Sequence, residues 1–162
     1  MTTIRAFIIT VSDTRTLDND LSGDRLAELL IATGAEIMGK IIVSDDLDGL
    51  RNTLHVITER DDVNLILTTG GTGFGPRDNT PEATQSVIER EAPGLAEAMR
   101  RETYAKTPLA MLSRGICGIR GDTLIVNLPG SPKGVNECFE IVRPILPHAI
   151  DLLAGDTRHN AG

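Results

Sequence analysis

Two hydrophobic periodicities alternate along this chain, and their order gives the first outline of a fold. Arg5 to Ser12 is an almost unbroken apolar run of β-formers, the pattern of a strand covered on both faces. A polar loop, Asp13 to Gly23, follows. Leu26, Leu29 and Leu30 then recur at helical spacing after the capping candidate Ser22, and Thr33-Gly34 supplies a stop. Glu36 to Val43 reads as a second strand. Asp46 is placed to cap a helix whose stripe is Leu47, Leu50, Leu54 and Ile57. A third buried strand spans Val63 to Thr69. Thr80-Pro81-Glu82 combines a cap, a first-turn proline and an acid, which predicts helices over about Pro81 to Glu91 and Gly94 to Lys106. Ile116 to Arg120 and Thr123 to Asn127, about the turn Gly121-Asp122, read as a hairpin. Helices near Gly134–Val142 and Pro144–Leu153 complete the pattern.

Strands alternating with helices imply βαβ units. The expected fold is therefore α/β: a mostly parallel sheet with helices on both faces and a small antiparallel hairpin. Residues 1–155 are expected to form a single domain and residues 156–162 a flexible C-terminal tail. In such a sheet the ligand crevice lies beyond the carboxyl ends of the strands. Four polar loops should meet there: Ser12–Ser22, Ser44–Asp46, Gly70–Thr80 and Leu128–Lys133.

Composition narrows the ligand classes. Sixteen basic against 23 acidic residues leave a net charge of −7, which offers no long-range attraction to nucleic acid or anionic lipid. One Tyr, three Phe and no Trp provide little on which bases could stack. No apolar stretch approaches the roughly 18 residues of a membrane span, and Ala6 to Val11 is too short and too early for a signal peptide. Cys117 and Cys138 lie at no metal or disulfide-framework spacing. A cytoplasmic protein without nucleic-acid or membrane partners is the expectation. The cysteines read as small core residues, and His55, His148 and His159 carry no recognisable catalytic setting.

The glycine-rich loop is the most informative feature. Gly70, Gly71, Gly73 and Gly75 surround Thr72 at the end of a strand, so backbone N–H groups can approach an anion without Cβ interference. A strand-to-helix turn alone would account for one of these glycines. The spacing is neither a dinucleotide fingerprint nor a P-loop. The run GAEIMGKI at 34–41 nearly matches a P-loop, but Ile41 replaces the Mg²⁺-binding hydroxyl and the run leads from a helix end into a strand. Asp45 stands at the end of the second strand and Asp78 in the loop after the third, and two carboxylates there suit Mg²⁺ with substrate phosphate oxygens. The alternatives are local: Asp46 caps a helix and Asp78 caps a turn through its side chain. Ser113-Arg114 and the run Asn127 to Lys133 offer hydroxyls, cations and a helix N-terminus, the parts of a second anion site.

Six ordered motifs now carry a resemblance: TVSDT at 10–14, DLSG at 20–23, LTTGGTG at 67–73, PRDNTPEAT at 76–84, AMLSR at 110–114 and NLPGSPK at 127–133. Over about Ile4 to Gly155 the chain resembles the molybdopterin adenylyltransferase family, the bacterial Mog/MoaB proteins and gephyrin-type G domains. The resemblance implies a molybdopterin-binding domain assembled as a homotrimer, with ATP and molybdopterin as substrates and Mg²⁺ as cofactor. It implies a reaction in molybdenum cofactor biosynthesis: the terminal phosphate of molybdopterin attacks the α-phosphorus of ATP, giving adenylyl-molybdopterin and pyrophosphate. Hand-over to a molybdenum-insertion protein would follow. Carried over, Asp45 and Asp78 are the metal and catalytic acids, although Ser44 stands where the family commonly has Pro. Gly70, Gly71, Thr72, Gly73 and Gly75 fall on the nucleotide-phosphate loop. Asp20, Ser22, Ser113, Arg114, Ser131 and Lys133 fall on the pterin side. The competing readings are a catalytically silent molybdopterin-binding or scaffold protein of the same family, and a pyrophosphatase-like nucleotide enzyme.

Overall fold

The computed structural model describes residues 1–156; the expected tail lies, but for Asp156, outside them. Within them the chain runs β1 (Arg5–Val11), α1 (Leu21–Ala32), β2 (Glu36–Val43), α2 (Leu47–Thr58), β3 (Leu65–Thr69), α3 (Thr80–Val87), β4 (Arg90–Glu91), α4 (Pro93–Tyr104), a 3₁₀ turn (Pro108–Leu112), β5 (Cys117–Arg120), β6 (Thr123–Leu128), α5 (Pro132–Val142), a second 3₁₀ turn (Arg143–Ile145) and α6 (Leu146–Leu153). The strands form one sheet in the order β2-β1-β3-β6-β5-β4. β1, β2, β3 and β6 are mutually parallel, while β5 runs antiparallel to both β6 and β4. The α/β architecture and its hairpin are as the sequence predicts.

Alternation along the strands divides the apolar side chains between two cores. Ile8, Leu65, Leu67 and Val126 face α1, α4, α5 and α6, where Leu26, Leu30 and Phe139 are fully buried. Ile9, Ile66 and Ile125 face α2 and α3, packing on Leu50, Leu54 and Val87. Because both faces are covered, six of the seven β1 residues and all of β3 are buried. That is why these strands read as continuous apolar runs rather than as alternating ones. No helix among the described residues is long and apolar enough to cross a membrane.

Several local expectations are corrected. The helix expected to reach Glu91 ends at Val87, since Ile88 is extended at ψ 146°, and Arg90–Glu91 pairs with β5. Glu89 N–H donates to the Ile119 carbonyl at 2.8 Å and Ala92 N–H to that of Cys117 at 2.9 Å. Pro93 also disfavours helical geometry at Ala92. Asp20, not Ser22, caps α1, its Oδ1 accepting the Gly23 N–H at 3.0 Å. Thr80 is the first residue of α3 rather than its cap, and its hydroxyl donates instead to the Gly70 carbonyl at 2.8 Å. The third strand starts at Leu65, because Val63 N–H is drawn into a turn with the Arg60 carbonyl.

Candidate active site

The parallel strands deliver their carboxyl ends to one edge of the sheet, and the loops after β1, β2, β3 and β6 meet there as expected. The order is not the one that would set β2 beside β3: β1 lies between them. Asp45, after β2, nevertheless reaches the glycine loop after β3, since a Cβ on Gly71 would lie 3.2 Å from its Oδ1. The backbone of Asp45 is gripped at both ends. Its N–H donates to Asp13 Oδ1 at 3.0 Å, and its carbonyl accepts from Asn79 Nδ2 at 3.0 Å. Partial burial, and then the charges of Asp13 and Asp78, push the Asp45 carboxyl above its ordinary range. Asp13 is held below it by the guanidinium of Arg77 and by the Asp45 amide. The neighbouring Asp46 caps α2 through the Gly49 N–H at 2.7 Å, as the sequence suggests.

The glycine loop has two separate uses for its glycines. Gly70 and Gly71 adopt φ of +100° and +68°, the left-handed region that side chains disfavour. Gly73 and Gly75 instead make room for an anion that belongs to the protein. A Cβ at either would come within 2.9 Å of Asp78 Oδ2, which accepts the Gly75 N–H at 2.8 Å. Asp78 therefore caps the turn, one of the readings the sequence left open. Arg114 braces the loop from outside: Nε donates to the Gly73 carbonyl and Nη2 to that of Asp78, both at 2.8 Å. It also ion-pairs with Glu82, and its guanidinium holds the Glu82 carboxyl below the usual range.

Beside the loop opens a cleft of about 510 Å³ between α4, the 3₁₀ turn at Pro108–Leu112 and the start of α5. Gly71, Thr72, Gly73, Asp78, Ser113 and Ser131 line it, together with Arg100 and Glu137. Arg100, which no sequence signal marked, donates through Nη1 to the Gly115 carbonyl at 2.7 Å. The remaining sequence candidates stand behind or beside this wall. Asp20 is fully buried, accepting from the Thr10 hydroxyl at 2.7 Å, with Lys40 and Arg15 at 3.8 and 3.9 Å. Ser22 donates to the Gly130 carbonyl at 2.6 Å and accepts from Arg15, which also binds that carbonyl. Ser131 caps α5 through the Gly134 N–H at 3.0 Å. Lys133 is 85% exposed, 4.0 Å from Glu137, and lines an adjoining surface groove. Asp13, Arg15, Arg77 and Asn79 are the organising residues that the sequence presented only as turn or motif positions.

Among the described residues no group of three or more His, Cys, Asp or Glu side chains is disposed as a metal cage. Two carboxylates with surplus negative charge, beside a cleft able to admit phosphates, match instead a hard divalent cation that keeps water and substrate oxygens. The donor chemistry of Asp45 and Asp78 is thus of the kind that Mg²⁺ takes.

The chain matches the model of the probable molybdopterin binding domain over residues 7–148. It is 44% identical over 160 residues to the molybdenum cofactor synthesis protein cinnamon of Drosophila melanogaster, covering 96% of this chain but 26% of that protein. It thus spans about a quarter of that relative. A molybdopterin adenylyltransferase of Helicobacter pylori is 38% identical over 161 residues, covering 96% of this chain and 91% of its own length. Among solved structures, the molybdopterin biosynthesis enzyme MoaB of Thermus thermophilus superposes with a TM-score of 0.86 at 46% identity, covering 94% of this chain and 97% of that one. On these matches the chain belongs to the probable molybdopterin binding domain family.

Proposed function

We propose that this chain, as a single molybdopterin-binding domain over residues 1–155, is a molybdopterin adenylyltransferase of molybdenum cofactor biosynthesis. An oxygen of the terminal phosphate of molybdopterin forms a bond to the α-phosphorus of ATP, and the bond from that phosphorus to the bridging oxygen breaks, releasing pyrophosphate. The observation that supports this most is the pairing of Asp45 with Asp78 across the glycine loop, two carboxylates whose mutual repulsion a cation would relieve. Bound there, Mg²⁺ supplies charge neutralisation to the phosphates.

The protein's own residues then have to align and hold. The Gly70 and Gly75 amides are spent on the Leu128 carbonyl and the Asp78 carboxylate, so those of Gly71 to Gly73 are the ones offered to the phosphates, in a loop whose shape is fixed by Thr80 on Gly70 and by Arg114 on Gly73 and Asp78. Preset donors of this kind favour the transition state because little reorganisation is left to do. On the pterin side, Ser113 and Ser131 contact the substrate from the cleft wall and Lys133 from its outer rim. Asp20, Ser22 and Arg114 serve that side by fixing the loops around it. A cytoplasmic homotrimer that passes its product to a molybdenum-insertion protein completes the proposal.

The test is pyrophosphate release from Mg·ATP, with and without molybdopterin, beside Asp78→Asn. Release should require molybdopterin and fall by about two orders of magnitude or more in the variant, with the fold intact because the amide oxygen can still accept the Gly75 N–H. Molybdopterin binding without release by the native chain, beside an active control enzyme, would assign a silent binding protein instead.

A further inference from the structure

Asp13 joins three crevice loops through one carboxylate. Its Oδ1 accepts the Asp45 N–H from the loop after β2 and Arg77 Nη2 from the loop after β3, each at 3.0 Å, while its Oδ2 accepts Arg77 Nε at 2.6 Å. These partners lie 32 and 64 residues away in the chain, so the contact is made by the sheet order and not by a local turn. Arg77 directly precedes Asp78, and Asn79, directly after it, holds the Asp45 carbonyl. The two candidate acids are thereby fixed relative to each other through their backbones, without drawing on the carboxylate of Asp45 or on Oδ1 of Asp78.

We infer that Asp13, braced by Arg77, is a positioning residue that sets Asp45 against Asp78 across the glycine loop. The inference rests on the adenylyltransferase reading of the site. Both Asp13 oxygens are engaged by protein donors, Oδ1 by two and Oδ2 by one. Its side chain is 36% exposed and that of Arg77 60% exposed, and ion pairs so placed add little to stability. The consequence of the pair is therefore geometric. A catalytic group displaced by even 1 Å loses much of its rate advantage, while the Thr80 and Arg114 contacts that brace the glycine loop do not pass through Asp13.

The experiment compares Asp13→Ala and Asp13→Asn in the full chain, with kcat and KM for Mg·ATP measured in the presence of molybdopterin. Amide exchange at Asp45 is followed by NMR as a readout independent of turnover. Asp13→Ala should lower kcat about tenfold while KM for Mg·ATP moves less than about threefold, as expected for a lost charge-assisted hydrogen bond that acts on position. In Asp13→Asn the amide oxygen still accepts the Asp45 N–H, so kcat should stay within about threefold of the native value and Asp45 should remain as protected from exchange as in the native chain. Native kcat in Asp13→Ala, equal loss in both variants, or identical Asp45 exchange in all three proteins would overturn the inference. A native chain that transfers no adenylyl group overturns the proposed function instead, and the Asp45 exchange rates then decide the clamp alone.

Discussion

Gly71→Ala separates two costs that the glycine loop combines. The residue sits at φ +68°, where an alanine is strained by about 1–2 kcal/mol. Its Cβ would also overlap Thr80 Oγ1, the buried hydroxyl that donates to the Gly70 carbonyl at 2.8 Å. Losing that bond adds about 1 kcal/mol. The total, about 2–3 kcal/mol, corresponds to a melting temperature lower by about 5–10 °C in a domain of this size. Gly34 is the natural control, because it shares a positive φ of +83° but nothing lies within 4 Å of a Cβ placed there. Gly34→Ala should therefore incur the strain without the overlap. Thermal unfolding by circular dichroism, with a urea titration for free energies, measures both variants. Gly71→Ala should also slow adenylyl transfer, since its Cβ would press on Asp45 Oδ1 from 3.2 Å. Equal destabilisation by the two alanines would refute the reasoning, because it would leave the Thr80 contact without energetic weight.

Two further outcomes follow from the charge and burial of single groups. Burial, and then the charges of Asp13 and Asp78, hold the Asp45 carboxyl above the ordinary range of an aspartate. Its contribution to stability is accordingly most favourable below the pKa of an unfolded aspartate and is lost as the pH rises through the folded pKa. Asp45→Asn should thus melt at a higher temperature than the native chain at about pH 7, lose that advantage at about pH 3, and transfer no adenylyl group; an unchanged or lower melting point at neutral pH would contradict the burial argument. Burial pushes the thiol of Cys117 up to about 12 and that of Cys138 up to about 11. A disulfide reagent at about pH 8 should accordingly label neither in the native chain and both after denaturation.

Much of the fold was legible because the central parallel strands β1, β3 and β6 are covered on both sides. Glu36 to Val43 has the ends that its apolar run suggests, and Asp46 with the stripe through Leu50, Leu54 and Ile57 forms the helix that spacing indicates. Arg90–Glu91 was not legible: two exposed charged residues carry no β pattern, and only hydrogen bonds to β5 make them a strand. The choice between Asp20 and Ser22 as cap was also beyond local sequence, since either side chain suits the position. It is settled by the Thr10 hydroxyl meeting Asp20 from the adjacent strand. At the site, the placing of Asp45, Asp78 and the four glycines in loops of one crevice could be read from the chain. That Gly73 and Gly75 accommodate the Asp78 carboxylate depends on the fold of one turn, and that Asp13 gathers three loops depends on contacts between distant segments.

The sheet also acts as a partition. Leu65 and Leu67 belong to the core under α1, α4, α5 and α6, while Ile66 between them belongs to the core under α2 and α3. A cavity made on one side is walled off from the other by a layer of hydrogen-bonded backbone. Substitutions such as Phe139→Leu and Leu54→Val, which share no packing partners, should accordingly combine additively. The two halves of the interior can therefore accumulate compensating changes on separate schedules, while the loops that form the crevice, fed by strands common to both, remain exposed to the drift of each.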